Sequence, residues 1–192
     1  MKINNQIDTT SGGGQYFSSK ELKNADDKGV KVRLYGDAFM GYYYFQKTDD
    51  GKITVVRMET EGKMEKPTDG FQGAKQKLGK ALYTIGWNYK EEKAVLVTLD
   101  KVALINAVLD IANDDDLADV SDYDLKMSYH EKETPQAKYK VARLDKSAIS
   151  KEIKAELDEF AKTINLEEYM KGGDAFVTDS VEDEDTLEET AF

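Results

Sequence analysis

Residues 30–47 read VKVRLYGDAFMGYYYFQK, and their alternation sets the fold class. In VKVRLY, Val30, Val32 and Leu34 alternate with Lys31, Arg33 and Tyr35, the period of a half-buried strand. Gly36 and Gly41 predict a bulge or a sharp bend within one long strand. GYYYFQK continues that strand, TDDGK supplies an Asp-Gly hairpin turn, and ITVVRM returns.

Outward from this hairpin the chain keeps the same character. A long Lys- and Gly-rich loop, ETEGKMEKPTDGFQGAKQKLGK, precedes the strand ALYTIGWNY; KEE then turns the chain into its partner KAVLVTL. DKVALINAVLDIAND predicts a helix with Val102, Ile105, Leu109 and Ala112 as its apolar stripe and Asp100 or Thr98 as its cap. YDLKMSYHE and AKYKVARLD read as two more strands around KETPQ. SAISKEIKAELDEFAKTI is amphipathic, with Ile149, Ile153, Leu157, Phe160 and Ile164 on one face. NLEEYMKGG predicts a short helix closed by glycines. The fold expected is mainly β with two or three helices. An OB-fold-like antiparallel barrel with a helix between strands fits this order, and a sheet packed on two helices is the alternative. The organisation expected is a flexible arm over residues 1–26, a barrel over 27–146, C-terminal helices over 147–172 and an acidic tail over 173–192.

Charge is segregated along the chain. Of the net −11, eight units belong to the tail from Asp174 onward, which has eight acids and no base, so the rest carries −3. Lys28–Lys101 holds 14 bases against 10 acids, and Lys126–Lys154 holds 8 against 4. Between them, NDDDLADVSDYD has six Asp and no base. Two basic segments with an acidic terminal block suit a polyanion-binding surface bearing a negative tail; chance clustering on a solvated surface is the alternative. The absence of Cys excludes disulfides and cysteine–metal sites. No apolar run approaches the ~20 residues that span a bilayer. MKINNQIDTT lacks the apolar stretch of a secretion signal, so the location expected is the cytoplasm, with no membrane partner.

Catalytic signals are weak. The single histidine, His130, lies on a predicted strand facing the same way as Ser128 and Lys132. DDDLADVSDYD has the composition of a calcium loop but neither its Gly nor its closing Glu. In GAKQKLGKA five residues separate Gly73 from Gly79, one too many for a phosphate loop, and Ala81 replaces the magnesium-binding hydroxyl. No enzyme activity, cofactor or metal is expected.

Aromatic residues are more informative: 11 Tyr, 7 Phe and one Trp, many on strands beside bases. Unpaired bases stack on such rings while Lys and Arg follow the phosphates. Tyr35, Tyr42, Tyr44, Trp87 and Tyr89 are the candidate stacking residues. Lys31, Arg33, Lys47, Arg57, Lys75, Lys77, Lys80 and Lys90 are the candidate phosphate contacts. Alternation leaves open which aromatic face is outward. Two rival readings are an OB-fold protein-interaction module, and a metal-dependent nuclease using Asp114, Asp116 and Asp122.

The series KVRLYGDAFMGYYYF, ALYTIGWNYKEEKAVLVTL, DKVALINAVLDIAND and YDLKMSYHEKETPQAKYKVARLD, followed by the acidic tail, resembles the phage single-stranded DNA-binding proteins of the T-even helix-destabilising type. The resemblance implies an OB-fold that coats single-stranded DNA without sequence preference during replication, recombination and repair. It also implies a tail that recruits polymerase, helicase or recombination partners, here through Glu182, Asp183, Glu184, Asp185 and Phe192. The chain departs from that family in lacking the Cys and His ligands of its zinc subdomain. The tail is further expected to shield a basic groove until DNA displaces it.

Overall fold

The computed structural model describes residues 15–25, 29–59, 78–117, 119–135 and 137–177. Seven strands form one sheet: β1 (Tyr16–Ser18), β2 (Val30–Lys47), β3 (Ile53–Met58), β4 (Gly79–Asn88), β5 (Lys93–Leu99), β6 (Tyr123–Tyr129) and β7 (Tyr139–Lys146). Their order is β1-β5-β4-β2-β6-β7, with β3 paired to β2 off that path. All pairings are antiparallel except β1 with β5. The fold is mainly β, and the sheet is open rather than closed into a barrel. Among the described residues four α-helices accompany it: α1 (Ser19–Asn24), α2 (Val102–Ala112), α3 (Lys151–Lys162) and α4 (Leu166–Met170).

β2 is the long bent strand that its glycines predict. Its register with β4 breaks between Tyr35 and Phe39, where Gly36 takes a φ of 71°. That left-handed conformation is cheap only without a Cβ. The bulge diverts backbone carbonyls from the ladder, and the Thr84 hydroxyl donates to one of them, Asp37 O, at 3.0 Å. Before the bulge β2 pairs with β6 on its other side, through Val30–Arg33; beyond it, Tyr42–Lys47 pairs with β3 instead.

Both faces of the sheet are covered at its centre, so every residue of β4 from Ala81 to Asn88 is buried. On one face Val32, Leu34, Leu82, Val95, Val97 and Leu99 pack against Leu104, Ile105 and Val108 of α2 and Leu22 of α1. On the other, Ile85, Trp87 and Ala94 meet Leu157 and Phe160 of α3, while Ala81, Tyr83 and Leu96 meet Tyr169 and Met170 of α4. Gly86 lets β2 and β5 close on β4: a Cβ there would lie 2.8 Å from the Arg33 carbonyl oxygen and 2.9 Å from a Val97 methyl.

Three local expectations are corrected. Tyr16–Asn24 is not a free arm: Phe17 and Leu22 are buried, Ser18 caps α1, and Glu21 accepts from the Ser18 amide in return. α2 has Lys101 at its N-cap, which gives it no side-chain cap, and Asp100 accepts from Ser19 and Lys101 instead. Its buried stripe is Leu104, Ile105 and Val108, and Val102 is 63% exposed. α3, by contrast, buries the predicted Leu157 and Phe160 and is capped by Ser150.

Candidate nucleic-acid interface

The two faces of the pleat sort the aromatic residues. Residues directly opposite on paired strands share a face. Phe39, opposite Tyr83, and Tyr43, opposite Gly79, turn toward α4 and pack at the margin of its cluster. Burial pushes the Tyr43 phenol up to about 12, with Asp100 adding to the effect. Tyr42 and Tyr44 point the other way and belong to none of the three apolar clusters. Tyr42 lies between Lys80 on β4 and Met58 on β3, and Tyr44 lies beside Val56. The Lys80 ammonium is 5.6 Å from the centre of the Tyr42 ring, within cation–π range. Both tyrosines are half-buried, Lys80 is exposed and Met40 is 39% exposed on the same face, whereas the exposed Lys47 alternates onto the Tyr43 face. This face of the sheet end therefore presents two rings with the Lys80 cation at their margin.

A second group gathers around Asp124 on β6. Arg33 Nε donates to Asp124 Oδ1 at 2.6 Å, and the Lys31 ammonium donates to Oδ2 at 3.0 Å. The Tyr89 hydroxyl donates to Oδ1 at 2.9 Å, and Lys31 sits 3.6 Å over the Tyr89 ring. Burial works to raise the Asp124 carboxyl, but the hydrogen bonds from Arg33, Lys31 and Tyr89 outweigh it and hold the group below its ordinary value. Burial and the Asp124 partner push the Tyr89 phenol up to about 12. Lys90, exposed, follows Tyr89 in the turn.

Two of the predicted contacts are corrected by burial. Trp87 is 5% exposed and packed with Leu157 and Phe160, so its ring is not open to a base. Arg33 is 2% exposed; its guanidinium is spent on Asp124, on the Ser121 and Ser147 carbonyls and on the Ser147 hydroxyl. Both residues stand at alternating positions that look outward until α3 and the 147–150 connection cover that face. Tyr35 is partly covered as well: its hydroxyl donates to Asp158 of α3, and Lys154 lies 5.7 Å from its ring. Arg57 stacks its guanidinium 3.9 Å over the Tyr169 ring, on the α4 side. Lys75 and Lys77, and the tail residues Glu182, Asp183, Glu184, Asp185 and Phe192, lie outside the described residues. The structure thus joins Tyr42 with Lys80, and Tyr89 with Lys31, but places the two pairs on opposite faces of β2.

His130 Nε2 is 2.9 Å from the Ser128 hydroxyl, and among the described residues no three His, Asp or Glu side chains are grouped to hold a metal. Asp114 and Asp119 instead accept from nearby backbone amides, Asp116 N and Ser121 N, and Asp122 pairs with Lys146. Among the described residues, no helix is long and apolar enough to cross a membrane. What the geometry brings together is a surface of rings and cations on a covered sheet. Compared with known proteins, the chain matches no family model, no curated protein and no solved structure.

Proposed function

We propose that this chain binds single-stranded DNA without sequence preference, by stacking bases on tyrosines and neutralising phosphates with lysines. The observation that carries the reading is the Tyr42–Tyr44 face, where two half-buried rings outside every apolar cluster stand with Lys80 at their margin. Rings with a free face stack any base, so such a surface is sequence-tolerant. The finer fold reading, an OB-fold-like sheet, is part of this proposal. It is supported by β2, which bends at a bulge and serves three neighbours as the corner strand of a barrel does. A role in replication, recombination and repair, with the acidic tail engaging partner proteins, completes the proposal and rests on the sequence resemblance.

A second reading, a protein-interaction module, is favoured by Met40 and Phe45, which are 39% and 40% exposed near the same hairpin. Titrating oligo-dT and a duplex of equal length across a salt series separates the two. The expected outcome is tighter binding of the single strand, with affinity falling linearly in log salt. Tyr42→Ala with Tyr44→Ala is expected to weaken binding by about 1–3 kcal/mol per stacked base. Undetectable binding at low salt would sink the proposal and leave the interaction module.

A further inference from the structure

Among the described residues, the helices cover only half of the sheet face that carries α3. α3 lies over Ile85, Trp87 and Ala94, on β4 and β5. No residue of β6 or β7 belongs to the clusters beneath α3 and α4. On this open half, register places Lys31 directly opposite Lys126, and Lys126 opposite Ala142; Lys140, one pleat along β7, is opposite Ser128. Lys126, Ala142 and Lys140 are all exposed.

Like charges directly opposite on neighbouring strands destabilise a sheet. Among the described residues two carboxylates, Asp124 and Glu133, meet this row, and they offset it only in part. Asp124 carries one negative charge and already accepts from Arg33, so Lys31 is its second cation. Lys140 meets Glu133 at 3.4 Å, and both are half exposed in solvent. Lys126 makes no ion pair among the described residues. The aromatic body of Tyr89 lies under Lys31 and fixes one side of the row. A row of cations on neighbouring strands, with more positive charge than the facing carboxylates offset, is the form a site takes when the rest of its counter-charge comes from outside.

We propose that Lys31, Lys126 and Lys140 form a phosphodiester track, which the backbone of single-stranded DNA crosses on the open face of β2, β6 and β7. The proposal rests on the single-stranded DNA reading above and adds a second contact region, separate from the Tyr42–Tyr44 face.

Three measurements test it. Wild-type protein and the double variant Lys126→Ala, Lys140→Ala are titrated with oligo-dT over a salt series. The double variant is expected to bind more weakly at low salt, with its log–log salt slope shallower by about 0.7 for each lysine lost, or about 1.4 in all. Lys126→Glu is then melted without DNA. It is expected to raise the Tm, because it replaces a repulsion across the strands by an attraction, and to weaken oligo-dT binding further. If wild type binds oligo-dT while the double variant keeps the parental affinity and slope, the track is wrong and the broader reading stands. If wild type itself does not bind, the broader reading fails, and the track with it. A Lys126→Glu protein that melts no higher than wild type would remove the argument from cross-strand repulsion and overturn the proposal's basis.

Discussion

Asp124 shows how one carboxylate ties strands, turns and a tyrosine together. It bridges β2 and β6 through Arg33 and Lys31, and receives the hydroxyl of Tyr89 from the turn after β4. Because its folded-state pKa is depressed, it contributes stability that is complete above the unfolded carboxyl value of about 3.9. That contribution is lost as pH falls through the lower folded value. Asp124→Asn should therefore be destabilised at neutral pH, and its gap from wild type should narrow in acid; urea unfolding at pH 7 and near pH 3 checks this. A gap of constant size would mean that the ion pairs with Arg33 and Lys31 carry no net stability. The bridge was not legible beforehand. Lys31 and Arg33 read as solvent-facing because they alternate with valines, and nothing in VKVRLY says that a carboxylate 91 residues away will claim the guanidinium.

At the scale of elements, α3 decides what the aromatic strands can do. Its N-terminus is set by Ser150, whose hydroxyl accepts from the Ile153 amide at 3.2 Å. Its buried face seats Leu157 and Phe160 against Trp87. Removing the indole should leave a cavity beneath the helix. Trp87→Ala is expected to lose about 3–5 kcal/mol of stability in urea unfolding, and Trp87 emission in wild type should change little on adding oligo-dT. A stable Trp87→Ala protein with weakened DNA binding would instead return the ring to the interface. The elements themselves were readable: the bend in β2, the hairpins and the stripe of α3 follow from local pattern. Which face α3 would choose was not, since odd and even positions of GYYYF are equally aromatic. The short pieces β1 and α1 were missed because a polar stretch with one YF pair gives periodicity too little to work on. Phe17 supplies its own evidence only once β5 is beside it.

Across the whole molecule, protection should follow layering. β4 is enclosed by strands on both edges and by helices on both faces, whereas β3 and β7 each pair along one edge. Amide exchange should therefore be slowest in β4 and β5 and fastest among the strands in β3 and β7, with β2 slower before its bulge than at Phe45–Lys47. Uniform exchange across all strands would show that the sheet opens only as a unit. The parallel pairing of β1 with β5 has a different consequence, in the order of events during synthesis. The hairpins β2–β3, β4–β5 and β6–β7 close over short turns, but Tyr16 meets Leu96, 80 residues later. At ~5–20 residues per second a ribosome makes β1 roughly 4–16 s before β5 exists. Through that interval Phe17 and Leu22 have no core to enter. Once β5 emerges, its outer edge is an open template until β1 returns to cover it. The nascent chain is most exposed to chaperones, and to other copies of itself, in this window, and the three residues of β1 are what end it.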